Sequence, residues 1–110
     1  LYEKLERLGK RLESGLKQAA ADTNATVQRV GSMITVFMTA RPVRSWKDAA
    51  ESDTARFGRF HAALLSNGVY WPPAQFEAAF ISGAHSEADI DRTIEVANAA
   101  LRRSGRLLGG

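Results

Sequence analysis

Leu1, Leu5, Leu8, Leu12, Leu16 and Ala19 recur at steps of four or three. That spacing lines them along one face of an α-helix running to about Ala21. A stripe this long has to be buried on something, so the rest of the chain must supply an apolar surface. The opposite face of the same stretch is charged. Glu3 with Arg7, Glu6 with Lys10 and Glu13 with Lys17 each stand four apart in the favourable acid-before-base order, which reads as a solvated helix face.

Asp22, Thr23 and Asn24 break this helix. Thr26 to Val30 and Ser32 to Thr39, on either side of Gly31, are rich in β-branched and apolar residues, and predict two adjacent strands. In the second strand Ile34, Val36 and Met38 share one face and Met33, Thr35 and Phe37 the other, so that strand is expected to be covered on both sides. Arg41, Pro42 and Val43 end it, because proline removes a ladder donor and pushes its predecessor out of helical space, and a loop carries Arg44 to Lys47. Asp53 is a good N-cap for a second helix whose apolar face is Phe57, Phe60, His61, Leu64 and Leu65, stopped by Asn67 and Gly68. Val69, Tyr70 and Trp71 predict a short strand ended by Pro72 and Pro73, and Gln75 to Ser82 a further strand with Phe76, Ala78 and Phe80 on one face and Glu77, Ala79 and Ile81 on the other. Ser86 followed by Asp89 resembles a capping box, and Ile90, Ile94, Ala97 and Leu101 carry a third helix to about Arg103. The fold class is therefore α+β: a small, largely antiparallel sheet packed against about three helices, over residues 1–103, with 104–110 expected to be a disordered tail.

At 110 residues, 45% apolar and 25% charged, the chain has the size and composition of one ordinary soluble domain. Its 15 basic and 12 acidic residues are mixed along the sequence, which gives no basic block of the kind nucleic-acid binders carry. No cysteine is present, so disulfides and thiolate chemistry are excluded, which fits a cytoplasmic protein. No apolar stretch approaches the roughly 20 residues needed to cross a bilayer, and the N-terminus lacks a signal-peptide layout; no membrane partner is expected. The absence of a methionine ahead of the first helix suggests a segment of a longer polypeptide.

Few residues offer chemistry. His61 and His85 stand 24 apart without companion cysteines or a dense carboxylate cluster, so no metal site is expected. His61 reads as a half-buried packing residue and His85 as a loop anchor. Gly31, Gly58, Gly68 and Gly83 are isolated rather than gathered into a phosphate-cradling loop, and no serine sits in a nucleophile-elbow pattern. Lys4, Lys10 and Lys17 fall on the charged face of the first helix and Lys47 in a loop, whereas a Schiff-base lysine needs a shaped pocket and a depressed pKa. The residue most out of place is Glu77, an acid inside the apolar run Phe76 to Ile81 and preceded by Pro72, Pro73 and Gln75. It reads either as an edge-strand acid paired with an arginine or as a carboxylate placed to meet an amine or a cofactor-linked group.

The stretch Gly68 to Arg92, Gly-Val-Tyr-Trp-Pro-Pro-Ala-Gln-Phe-Glu-Ala-Ala-Phe-Ile-Ser-Gly-Ala-His-Ser-Glu-Ala-Asp-Ile-Asp-Arg, resembles the C-terminal signature of the glutamate-1-semialdehyde aminomutases. Val30 to Met33, Phe37 to Thr39, Pro42-Val43, Asp53 to Phe57 and Phe60-His61 follow that family's order and spacing. The resemblance covers the chain to about Arg102.

The resemblance implies the C-terminal small domain of a fold-type I enzyme of the class III aminotransferase type, an isomerase of tetrapyrrole (porphyrin) biosynthesis. Such enzymes are cytoplasmic homodimers that use pyridoxal 5'-phosphate to convert glutamate-1-semialdehyde to 5-aminolevulinate. The family's Schiff-base lysine and cofactor contacts lie in a large domain that no stretch here matches. No catalytic, cofactor-binding or metal residue is therefore expected in this segment, which alone would be inactive and bind no cofactor. Its implied partners are that large domain, a second subunit and a small-molecule substrate. Within Gln-Phe-Glu-Ala, here Gln75 to Ala78, the resemblance makes Glu77 the substrate-binding residue: it stands where related aminotransferases hold a second substrate carboxylate with an arginine, and its charge would reject dicarboxylates. Trp71 and Ala74 depart from the family's usual apolar residue and serine, which touches the shape of the cleft beside Glu77. The alternatives are the same domain of another class III aminotransferase, or a free-standing α+β binding module.

Overall fold

A computed structural model of the chain describes residues 1–21, 23–39, 53–73, 79–82 and 84–109. Among them the order is α1 (Tyr2–Ala20), β1 (Thr26–Val30), β2 (Met33–Phe37), α2 (Thr54–Ser66), β3 (Ala79–Phe80) and α3 (Glu87–Gly109). The strands form one antiparallel sheet in the order β1-β2-β3, which with the helices is the α+β class expected from the sequence.

The leucine stripe of α1 does what its spacing dictates: Leu8, Leu12, Leu16 and Ala19 are buried in the core and Leu5 packs against it. Leu1, which caps the helix rather than lying within it, is 83% exposed. The helix ends where the amide of Ala21 bonds back to the carbonyls of Lys17 and Gln18, and Asn24 turns the chain with φ +56°, a conformation asparagine tolerates better than most residues. In β1 and β2 the register pairs Val27 with Val36 and Arg29 with Ile34. These residues lie on the face turned to α1, where Val27, Ile34 and Val36 are buried and Arg29 reaches α1. The second face of β2 is covered at Phe37 but open at Met33, which is 38% exposed, so coverage on both sides holds only for one end of the strand.

Asp53 caps α2 as its side chain type predicts: its Oδ1 accepts from the Arg56 amide at 2.9 Å, while its own amide donates to Met38 O and ties the helix start to the end of β2. The helix ends at Asn67, with Gly68 following at φ +77°, where glycine avoids the Cβ penalty. Phe57, Phe60 and Leu64 are buried and His61 is half-buried, but Leu65 is exposed.

Two expected elements differ. Val69 to Trp71 alternates in burial, with Val69 and Trp71 buried and Tyr70 exposed, yet it joins no ladder among the described residues, and the Val69 amide bonds back to Leu64 O. The strand expected over Gln75 to Ser82 is observed at Ala79–Phe80; Gln75 to Ala78 lie outside the described residues, as do Arg41 to Lys47. The capping box at α3 forms reciprocally, Asp89 N to Ser86 Oγ at 3.1 Å and Ser86 N to Asp89 Oδ2 at 2.9 Å. The helix is described through Gly109. Extending an existing helix costs far less than nucleating one, and Arg106, Leu107 and Leu108 are good helix formers.

Helices α1 and α3 run side by side in the same direction. Arg7 meets Glu87, Arg11 meets Asp91 and Gly15 meets Ile94, so advancing along one helix advances along the other. α3 packs in turn on α2, and no described helix is long and apolar enough to cross a membrane.

Candidate functional site

Glu77 lies outside the described residues, but the chain on either side of it is tied to the core. Upstream, Trp71 is 3% exposed and stacks edge-on against Phe60 with ring centroids 6.2 Å apart, and Phe60 in turn lies 5.9 Å from Phe57. Downstream, β3 pairs with β2 through Phe80 with Met33 and Ala79 with Ile34, and the Ile81 amide donates to Ser32 O at 3.0 Å. The Glu77 stretch is therefore strung between a buried aromatic anchor and a sheet edge.

A groove of about 550 Å³ lies between Gly68 to Tyr70 with Pro72, Ala79 and the first turns of α3, with His85 among its lining residues. Its polar groups are already engaged in holding the local structure. His85 Nδ1 accepts from the Ser82 amide at 2.9 Å, the loop-anchoring role expected of it. The Asp89 carboxyl is lowered from its ordinary value by the Ser86 amide and then its hydroxyl, and Arg92 Nη2 donates to Asn67 O at 3.3 Å. The Ser82 hydroxyl also lies 3.4 Å from His85 Nδ1.

Charged side chains missed as structural residues in the sequence hold the domain together elsewhere. Arg29 donates through Nε to Glu13 at 2.9 Å, through Nη2 to Glu6 at 3.2 Å and through Nη1 to Gly31 O at 2.7 Å. These contacts push the arginine up, while the Glu13 carboxyl is lowered by Arg29 first and Lys17 second. Gly9 makes room, since a Cβ there would lie 3.1 Å from Arg29 Nη1. Of the three pairs expected along α1, Glu13 with Lys17 forms at 3.0 Å, whereas Glu6 turns to Arg29 and Arg7 to Glu87. Arg56 is 2% exposed and bonds Asn24 O at 3.0 Å and Leu101 O at 3.5 Å, so one guanidinium joins the α1–β1 turn, α2 and α3; burial pushes it down from the ordinary arginine value. The available signal was its position, four residues before Phe60 on the apolar face.

Lys10 and Lys17 are exposed, and Lys17 Nζ is held by Glu13. No group of three or more potential metal ligands occurs among the described residues.

No family model matches the chain. It is 65% identical over 103 residues to a glutamate-1-semialdehyde 2,1-aminomutase of Sorangium cellulosum, covering 92% of this chain and 24% of that protein. It is 52% identical over 102 residues to the Thermus thermophilus protein of the same name, covering 91% of this chain and 24% of that protein. The chain thus spans about a quarter of the length of these curated relatives, their C-terminal part. Among solved structures it is similar to an omega-transaminase from Sphaerobacter thermophilus, with a TM-score of 0.76 at 23% identity over 94% of this chain and 24% of that one. A β-phenylalanine aminotransferase from Variovorax paradoxus gives a TM-score of 0.75 at 25% identity over 97% of this chain and 24% of that one.

Proposed function

We propose that this chain, which belongs to the glutamate-1-semialdehyde 2,1-aminomutase family and corresponds to the C-terminal quarter of its members, walls the substrate cleft of such an enzyme and presents Glu77 to the aldehyde end of the substrate. The whole protein isomerises glutamate-1-semialdehyde to 5-aminolevulinate, in the cytoplasm and as a homodimer, for porphyrin biosynthesis. Residues 1–103 act as its small domain, and pyridoxal 5'-phosphate is held by the rest of the polypeptide. When bound there, the cofactor supplies the electron sink for moving the amino group.

The observation that carries this reading is the 65% identity over 103 residues, together with the anchoring of the Glu77 stretch at both ends. The physical role of Glu77 is rejection. A carboxylate at that margin meets the aldehyde end of the proper substrate without conflict, but opposes a second carboxylate, and like charges brought together at a binding surface cost several kcal/mol.

The test is 5-aminolevulinate formation from glutamate-1-semialdehyde by the full-length protein, beside Glu77→Gln. Turnover by the unaltered protein, with Glu77→Gln newly accepting dicarboxylate amino donors, is the expected result. A protein that exchanges amino groups between separate substrates but does not isomerise this one is instead another class III aminotransferase.

A further inference from the structure

The chain turns between β3 and α3, and a titratable ring atom helps to close that turn. The Ile81 amide, donating to Ser32 O at 3.0 Å, is the last described tie of β3 to the sheet, and the Ser86–Asp89 box then starts α3. Across the turn the His85 amide donates to Ser82 O at 3.1 Å, and the Ser82 amide donates to His85 Nδ1 at 2.9 Å. A main-chain amide can only donate, so Nδ1 must keep its lone pair and the proton of the neutral ring sits on Nε2. Ser82 Oγ, 3.4 Å from the same ring atom, accepts from the Ala84 amide at 3.3 Å. A proton on Nδ1 sets one donor against another and removes the Ser82 bond. The charged and titratable groups described around the ring are engaged elsewhere. Asp89, Arg92 and Tyr70 line the same groove, with Asp89 held by Ser86 and Arg92 donating to Asn67 O. Glu87, on the first turn of α3, turns to Arg7 and Arg11, and Ala79 and Phe80 of β3 add no charge.

We infer that His85 is a positioning residue of the enzyme: with Nδ1 unprotonated it pins the turn that fixes the downstream end of β3, and protonation of that atom loosens the turn and lowers activity. The inference rests on the reading of the chain as the small domain of an aminomutase, in which the Glu77 stretch leads into β3. That strand is two residues long, held by its pairing with Met33 and Ile34 and by the Ile81 amide. So short a ladder leaves much of the fixing of its end to the turn that follows. Acid sensitivity comes with the residue type, because imidazole is the side chain whose charge ordinarily changes between about pH 5 and 8. His85 acts through the Ser82 backbone, not on the substrate.

The experiment compares the full-length protein, with pyridoxal 5'-phosphate bound, with its His85→Asn and His85→Ala variants. An asparagine side chain places a carbonyl oxygen where Nδ1 stands and takes up no proton in this range, whereas alanine offers no acceptor. The kcat/KM for glutamate-1-semialdehyde is measured from about pH 5.5 to 8. Hydrogen exchange of the peptide carrying the Ser82 amide is followed over the same range, corrected for the intrinsic pH dependence of exchange. At about pH 8 alanine should lower kcat/KM by roughly fivefold or more and asparagine should restore most of it, since small misplacements near a reacting site are costly. On acidification the unaltered protein should lose kcat/KM relative to His85→Asn by a similar factor, and lose Ser82 protection that the asparagine variant keeps. A ratio that stays constant across the range overturns the inference. So does an alanine variant as active as the asparagine one, which would show that no acceptor is needed. Exchange does not depend on turnover: a protein without mutase activity that loses Ser82 protection in acid only when His85 is present overturns the functional reading and keeps the pinned turn, and without that loss both fall.

Discussion

Gly15 on α1 faces Ile94 on α3 with no room for a methyl group: a Cβ at position 15 would lie 2.7 Å from Ile94 Cγ1 and 2.8 Å from Cγ2. Glycine inside a helix ordinarily costs up to about 1 kcal/mol relative to alanine, so the close crossing of two parallel helices is what requires it. Gly15→Ala is expected to destabilise the fold by about 1–3 kcal/mol despite its better helix propensity. Ile94→Ala should remove much of that cost, giving a favourable coupling in a double-mutant cycle read from urea midpoints; additive effects would sink this account of the crossing.

Arg29 and Glu13 make stability depend on acid. Glu13 has its carboxyl lowered by Arg29 and then Lys17, so the stability it contributes is fully present above the ordinary glutamate value of about 4.3 and is lost as pH falls through the lowered folded value. Glu13→Gln should cost about 2 kcal/mol at neutral pH and flatten part of the acid-side fall. Asp89 and Asp91, also lowered, supply the remainder. Thermal midpoints from about pH 3 to 7 span this window, and parallel curves for the two proteins would contradict it.

Arg56 is expected to resist conservative replacement. Its fork reaches two carbonyls on different elements, Asn24 O and Leu101 O, and an ammonium on a flexible stem does not reproduce that geometry. Arg56→Lys should lose about 1–3 kcal/mol and Arg56→Ala more, because a cavity is added to the unpaired carbonyls. Chemical denaturation reads both, and a lysine variant as stable as the parent would leave the guanidinium without the joining role assigned to it.

What was legible in the sequence is what local rules settle. The α1 stripe, the Thr26 to Val30 strand, the Asp53 cap and the Ser86–Asp89 box each depend on a few neighbouring residues, and each forms as read. What failed depends on partners far along the chain. Spacing within one helix pairs Glu6 with Lys10 and Arg7 with Glu3, but stronger partners stand across space in Arg29 and Glu87. Val69 to Trp71 alternates as a strand does, yet alternation shows only which side is buried, and the Val69 amide bonds to α2. The burial of Arg56 and the tight Gly15 position were visible only as local oddities, a cation on an apolar face and a glycine within a helix. For the candidate site, the loop-anchoring role of His85 was legible because it stands beside a helix cap, while the groove beside it was not, because its walls come from separate elements. Glu77 itself lies outside the described residues.

Trp71 links packing to the proposed function. It is buried against Phe60 at the upstream end of the Glu77 stretch, so a smaller ring there should loosen that anchor while leaving the core largely filled. Trp71→Phe is expected to cost about 1–2 kcal/mol and, in the full-length enzyme, to lower kcat/KM for glutamate-1-semialdehyde by roughly tenfold or more, because small misplacements at a reacting site are expensive. Phe57→Leu, a comparable core loss on the far side of Phe60, serves as the control. It should match the stability change and leave kcat/KM nearly intact. If the two variants lower activity equally, Trp71 contributes only to the core and has no part in holding Glu77.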